Sequence, residues 1–124
     1  MTHWPASEFL APTADGRFRR LVVQEDRLRS ASLSFAPQDR VPEHAHPGSD
    51  EIFYVVSGTG RISIGKEIHD VGAGDLLFVG AGSWHAILAG GTADDPFVIV
   101  AVVAPNLGDD AVFSDGPFPI PELD

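Results

Sequence analysis

The sequence predicts an all-β fold, a sandwich, barrel or jelly roll of about eight to ten short strands. Three observations carry that expectation. Thirteen Gly and ten Pro are spread along 124 residues rather than pooled in a linker, so they punctuate short elements and disfavour a helical bundle. The stretches between them are rich in Val, Ile, Leu and Phe, residues that suit a pleated, half-buried surface. No window shows the apolar period of an amphipathic helix.

Residues 1–18 carry Trp4, Phe9, Leu10 and Phe18 between polar positions, the pattern of an arm or edge strand laid on a barrel. Strands are expected at 19–24, 27–35, 51–57, 61–64, 75–79, 84–89 and 97–104, with weaker candidates at 41–46 and 67–71. Between them lie Ser57-Gly58-Thr59-Gly60, Ile64-Gly65-Lys66-Glu67, Gly72-Ala73-Gly74, Gly80-Ala81-Gly82 and Gly90-Gly91, where the chain can reverse at positive φ. The tail after Pro105 holds Phe113, Phe118, Ile120 and prolines at 117, 119 and 121. Its apolar content needs a surface to lie on, either one end of its own barrel or a dimer partner. Residues 1–124 are expected to form one domain, with a core at about 19–105 between the arm and the tail.

Eighteen Asp and Glu oppose eight Lys and Arg, a formal charge of -10. Such a chain repels phosphate backbones and anionic headgroups, which argues against nucleic acid or a membrane surface as its main partner. A hydrophobic fraction of 44% is ordinary globular composition and too apolar for a disordered acidic tail. The opening residues Met1-Thr2-His3-Trp4-Pro5 have no basic flank and no apolar run, and the longest apolar run, near 97–105, falls short of the roughly 20 residues of a membrane helix. A cytoplasmic location is the expectation. Without cysteine there are no disulfides, thiolate zinc sites or cysteine nucleophiles, so a metal must be held by nitrogen and oxygen.

Strand alternation singles out the chemistry-bearing residues. Glu51 shares a face with Phe53 and Val55, a costly place for a carboxylate unless it is paired, protonated or on a metal. His44 and His46 are two apart, so both imidazoles point the same way on extended chain. Pro47 and Gly48 then provide a bend that lets the next strand present Glu51 to the same point. His85 shares its face with Ile87 and arrives about one hairpin pair later. Three imidazoles and one carboxylate suit a borderline or hard divalent ion such as Fe, Mn, Co, Ni or Zn.

In this region the chain resembles the cupins, whose first motif runs G-x5-H-x-H-x(3,4)-E-x6-G. Here it reads His44-x-His46, four residues, Glu51, six residues, Gly58. The second motif, G-x5-P-x-G-x2-H-x3-N, is matched by Gly74, five residues, Gly80, Gly82, two residues and His85. Three positions depart from the pattern: Gln38 stands for the first glycine, Gly80 for the proline and Ala89 for the final asparagine. The resemblance implies an antiparallel jelly-roll barrel, often dimeric, with one divalent metal ion inside, and carries His44, His46, Glu51 and His85 over as its ligands.

Other residues invite blander readings. His3 and His69 are expected to pack or hydrogen-bond rather than ligate, and Trp84, beside His85 on the other face, to pack. Phe53, Val55, Ile62, Ile64, Phe78 and Ile87 are expected to line the barrel, some of them at the pocket. Arg27 and Arg29 share a face with Leu33 and Phe35. Solvated edge positions suit them, but one pointing inward would anchor a carboxylate or phosphate. Function is expected to be that of a small metal-dependent enzyme, a dioxygenase or a sugar or keto-acid isomerase, acting on a small oxygen-rich and anionic molecule. The alternative is a noncatalytic module that binds or senses a small ligand. Glu43, Asp50, Tyr54 and His69 are available as acid/base groups, though no spacing compels a role for any of them.

Overall fold

Period-two alternation is written into the burial of the strands. Along Asp50–Ser57 the odd positions Glu51, Phe53 and Val55 are buried while Ile52 and Tyr54 are exposed. The computed structural model describes residues 2–11 and 18–123. Within them a short helix, α1 (Ala6–Phe9), precedes β1 (Arg19–Gln24), β2 (Arg29–Phe35), β3 (Arg40–Ala45), β4 (Asp50–Ser57) and β5 (Thr59–Ile64). The chain continues through β6 (Glu67–Gly72), β7 (Leu76–Val79), β8 (His85–Ala89), β9 (Phe97–Ala104) and β10 (Val112–Phe113). These pair antiparallel into two five-stranded sheets, ordered β1-β2-β9-β4-β7 and β10-β3-β8-β5-β6. Neighbours far apart in sequence, such as β2 with β9 and β3 with β8, make this a jelly roll, the all-β class that the sequence predicts. No helix among the described residues is long and apolar enough to cross a membrane.

The two inner faces meet in one apolar core containing Phe35, Phe53, Val55, Ile62, Ile87, Phe97 and Ile99. Each large side chain buried there contributes about 1.5–3 kcal/mol relative to exposure. Phe18 and Phe97 flank Phe35 in a stack, with ring centroids 5.6 and 5.9 Å from it. Gly58 shows what closing the roll demands. Its φ is +71°, and a Cβ there would lie 2.6 Å from the Pro96 carbonyl oxygen, so only glycine lets β4 turn into β5 against the start of β9.

Several expected elements change. Both weaker candidates are full strands, β3 and β6. The expected 27–35 strand begins at Arg29 because residues 25–28 form the β1–β2 turn, closed by Glu25 N–H donating to Leu28 O at 3.0 Å. Residues 12–17 of the predicted arm, together with Met1 and Asp124, lie outside the described residues. The rest of the arm contains α1, which bonds to the barrel through Ser32 Oγ donating to Phe9 O at 2.7 Å.

Phe78 is corrected from barrel lining to the outer face, where it is 62% exposed. It sits opposite Ile52, itself outward because Glu51 and Phe53 point in. The β7 run Leu76-Leu77-Phe78-Val79 is apolar on both faces, so it carries no alternation from which to read its orientation. The tail lies on its own barrel. Ile120 packs with Ala86 and Leu88 on the outer side of β8, joined by Phe118 and Leu123, and the Arg40 guanidinium sits 4.5 Å from the Phe118 ring centre.

Candidate metal centre

Two strands and their flanks bring the imidazoles together. Across β3 and β8, Val41 opposes Ile87 and His44 opposes His85, so three steps along β3 match two along β8. One extra residue is therefore accommodated at Pro42–Glu43, a β-bulge. Without it Val41 and His44 would face opposite sides; with it both face the interior, and His46 follows His44 inward. Pro42 suits the bulge because it has no N–H to offer a ladder. Glu51 arrives from the facing sheet, inward with Phe53.

One ring nitrogen from each of His44, His46 and His85 lies within 4.8 Å of the others. Glu51 Oε1 stands 3.1 Å from His85 Nε2 and 3.7 Å from His46 Nε2. His46, Glu51 and His85 are buried. Each Nδ1 is engaged from behind: His44 with Pro42 O at 2.8 Å, His85 with Ser83 O at 2.9 Å, and His46 with Asp110 Oδ1 at 3.0 Å. A carbonyl can only accept, so Nδ1 of His44 and of His85 carries a proton, and in the neutral ring Nε2 keeps its lone pair. Burial, and next the charge of His85, lower the His44 pKa to about 4, which keeps that ring neutral and able to ligate near pH 7.

The donor set fits a cation. Glu51 Oε1 and His85 Nε2 are buried and have no hydrogen-bond partner, although they are close enough to touch. A buried polar atom left unsatisfied costs about 1–3 kcal/mol, and a divalent ion between imidazole lone pairs and a carboxylate would satisfy both atoms at once.

A cavity of about 210 Å³ opens beside these residues. His44, His46 and Glu51 line it with Phe53, Ile87, Val41 and other apolar residues from both sheets. Of the six residues expected to line the barrel, Phe53 and Ile87 border it. Val55 and Ile62 are core residues with no exposure and lie outside its lining, and Phe78 is on the outer face.

The cupin domain family matches residues 31–103. This chain belongs to the cupin family. The match starts in β2 and ends in β9, so it contains both sequence motifs. An oxalate-binding protein of Thermotoga maritima is 32% identical to this cupin over 74 residues, covering 59% of this chain and 60% of that relative. Among solved structures, a conserved protein with a double-stranded beta-helix domain from Klebsiella pneumoniae subsp. pneumoniae matches with a TM-score of 0.75. It is 21% identical, over 94% of this chain and 99% of that one. A DMSP lyase from Ruegeria pomeroyi matches with a TM-score of 0.67 at 25% identity, over 85% of this chain and 57% of that one.

One departure of this cupin from the family pattern has a visible backbone consequence. Gln38, where the pattern has glycine, is the only non-glycine residue with positive φ among those described, at +73°. Its N–H donates to Ala89 O at 2.9 Å, which holds the strained residue in place.

Other polar residues of this cupin fall into distinct roles. Arg29 is buried and lines the cavity, whereas Arg27 is exposed in the β1–β2 turn. His3 is exposed, His69 lies 3.2 Å from Glu67 on β6, and Trp84 is 39% exposed. Glu43, Asp50, Tyr54 and His69 are all absent from the cavity lining. Two residues that sequence reasoning missed are Asp109, on the cavity wall, and Asp110, behind His46. An acid pair within an apolar tail is their only local signal, and no spacing links it to a histidine 64 positions away.

Proposed function

We propose that this cupin holds one divalent ion through His44, His46, Glu51 and His85 and acts as a small metal-dependent enzyme, dioxygenase-like or isomerase-like, on a small oxygen-rich anion. The observation that supports the metal is the buried pair of Glu51 Oε1 and His85 Nε2, adjacent and without hydrogen-bond partners. A bound ion supplies Lewis-acid polarisation of a substrate oxygen, with coordination positions left open by four protein ligands.

The chain's own residues supply the rest. Neutral imidazoles and one carboxylate around a divalent cation leave a local net charge of about +1, which favours an anion despite the chain's overall acidity. Arg29 adds to that field. It stands beside Val103, and Val103 beside Glu51, in register across β2, β9 and β4. Adjacent strands are about 4.8 Å apart, so the Arg29 and Glu51 backbones are separated by roughly 10 Å. An arginine side chain covers much of that span. A small carboxylate can therefore sit between guanidinium and metal site, with Phe53, Ile87 and Ala101 excluding water around it. Of the residues lining the cavity outside the ligand set, Asp109 is the one carboxylate, placed where a general base would act.

A second reading, a noncatalytic module that binds or senses a small anion, is favoured by the Thermotoga relative, which is named for binding oxalate. One experiment separates the two. Metal-reconstituted protein is titrated calorimetrically with small mono- and dicarboxylates, oxalate included, while oxygen uptake and product formation are followed. Saturable binding with turnover supports the enzyme; saturable binding with neither uptake nor product supports the module. Absence of stoichiometric metal after reconstitution would overturn both.

The same reading includes a homodimer. Phe78, Ile52 and Val102 lie side by side on the outer face of β7, β4 and β9, next to a second row of Leu76, Tyr54 and Val100. Leu76, Phe78, Tyr54 and Ile52 are 67, 62, 46 and 40% exposed, and neither row contains a charge. On a surface of net charge -10 this is a place where a second copy can dock without like-charge repulsion.

A further inference from the structure

His46 is held differently from its two neighbours. The rings of His44 and His85 lean on carbonyls two residues back in their own chain segments, Pro42 O and Ser83 O. His46 leans on a side-chain carboxylate, that of Asp110, supplied from the far end of the sequence at 3.0 Å. Asp110 is itself built into place. Asn106 Oδ1 accepts from Gly108 N–H at 3.1 Å and from Arg29 Nη1 at 3.3 Å. Gly108 O accepts from the same Arg29 nitrogen and from Asp110 N–H, and Gly108 itself has a positive φ of +74°. Directly afterwards β10 pairs with β3, Val112 opposite Ala45 and Phe113 opposite His44. The strap from 106 to 113 is thus fastened at both ends, and it sets the Asp110 carboxylate against His46.

We propose that Asp110 is a positioning residue for His46: its carboxylate holds the ring with Nδ1 protonated and Nε2 bare, and so makes metal affinity depend on the C-terminal strap. The inference rests on the metal-site reading above. A carboxylate is a stronger acceptor than a carbonyl. An imidazole that donates to one presents its other nitrogen as a firmer and better-oriented donor to a metal. Asp110 also adds one negative charge next to a site of local charge about +1, while Arg29, which clamps the Asp110 turn, returns one positive charge on the cavity side.

The test has two arms. In long-range 15N–1H correlation spectra of the metal-free full chain at about pH 9, where an ordinary imidazole is neutral, His46 is expected as the Nδ1–H tautomer. Asp110→Ala should move it to Nε2–H, the form a free imidazole prefers. Any other form in the parent, or an unchanged tautomer in the variant, overturns the proposal. In the second arm Co2+ binding is measured by calorimetry. Asp110→Ala should weaken it about 10- to 100-fold, and the isosteric Asp110→Asn should fall between variant and parent. Parent-like affinity in both variants overturns the proposal. If the parent itself binds no Co2+, the metal-site reading fails, and the tautomer arm alone decides the role of Asp110.

Discussion

Glu51 Oε1 and His85 Nε2 lie 3.1 Å apart in the interior, and neither forms a hydrogen bond. Each atom is buried away from water and left without a partner. This predicts that the site carries a stability penalty in the metal-free protein. Glu51→Leu should stabilise that form by about 1–3 kcal/mol, the penalty of an unsatisfied buried polar group, while abolishing metal binding. Chemical denaturation of parent and variant in the presence of chelator checks the first half and metal titration the second. A variant less stable than the parent would show that Glu51 is satisfied without metal.

Metal loading should stabilise the fold by mass action. At a free Mn2+ or Co2+ concentration one hundred times Kd, the gain is about 2.7 kcal/mol, a rise in Tm of roughly 10 °C for a domain of this size. Chelator should reverse it. Scanning calorimetry with and without metal is the measurement, and an unchanged Tm would contradict a site built from these ligands.

Arg29 lines the cavity, so Arg29→Lys should weaken binding of a small carboxylate by about tenfold or more, since an ammonium lacks the planar fork. Lysine cannot hold Asn106 and Gly108 in the same geometry either, so metal affinity is measured alongside. Loss of anion affinity much larger than loss of metal affinity is the expected result in paired calorimetric titrations.

Gln38 occupies a left-handed backbone conformation at φ +73°, which disfavours a side chain by roughly 1–2 kcal/mol. Gln38→Gly removes that strain and adds some unfolded-state entropy, for a net gain of about 0.5–1 kcal/mol. Thermal denaturation should show it as a rise of a few degrees, with metal affinity unchanged.

Phe78→Glu places a charge in the middle of the uncharged outer rows of β4, β7 and β9. Sedimentation equilibrium should show a dimer for the parent and a monomer for the variant, with equal metal stoichiometry. A monomeric parent would remove the interface assigned to this face.

How much of this was legible beforehand depends on the range over which each feature is determined. Alternation along a strand is local, so the inward positions of Glu51, Phe53 and Val55 follow from the chain by itself, as does the shared direction of His44 and His46. Where both faces of a strand are apolar the same rule gives no answer, and the outward position of Phe78 came only from pairing with Ile52 on β4. The sequence singled out two arginines, Arg27 and Arg29, with the same face and opposite fates. The β1–β2 turn leaves one in solvent, while the start of β2 beside β9 turns the other into the cavity.

By itself, the sequence determined an all-β fold, the cupin motif with the jelly roll that this resemblance implies, and the acidic surface, because spacing, turn residues and net charge are properties of the chain before it folds. Only the tertiary structure decided that the tail lies on its own barrel, that a bulge at Pro42–Glu43 turns His44 inward with Val41, and that Asp110 stands behind His46. Those relationships join segments tens of residues apart. They are set by which sheet edges pair and in which register, and no local spacing encodes that choice.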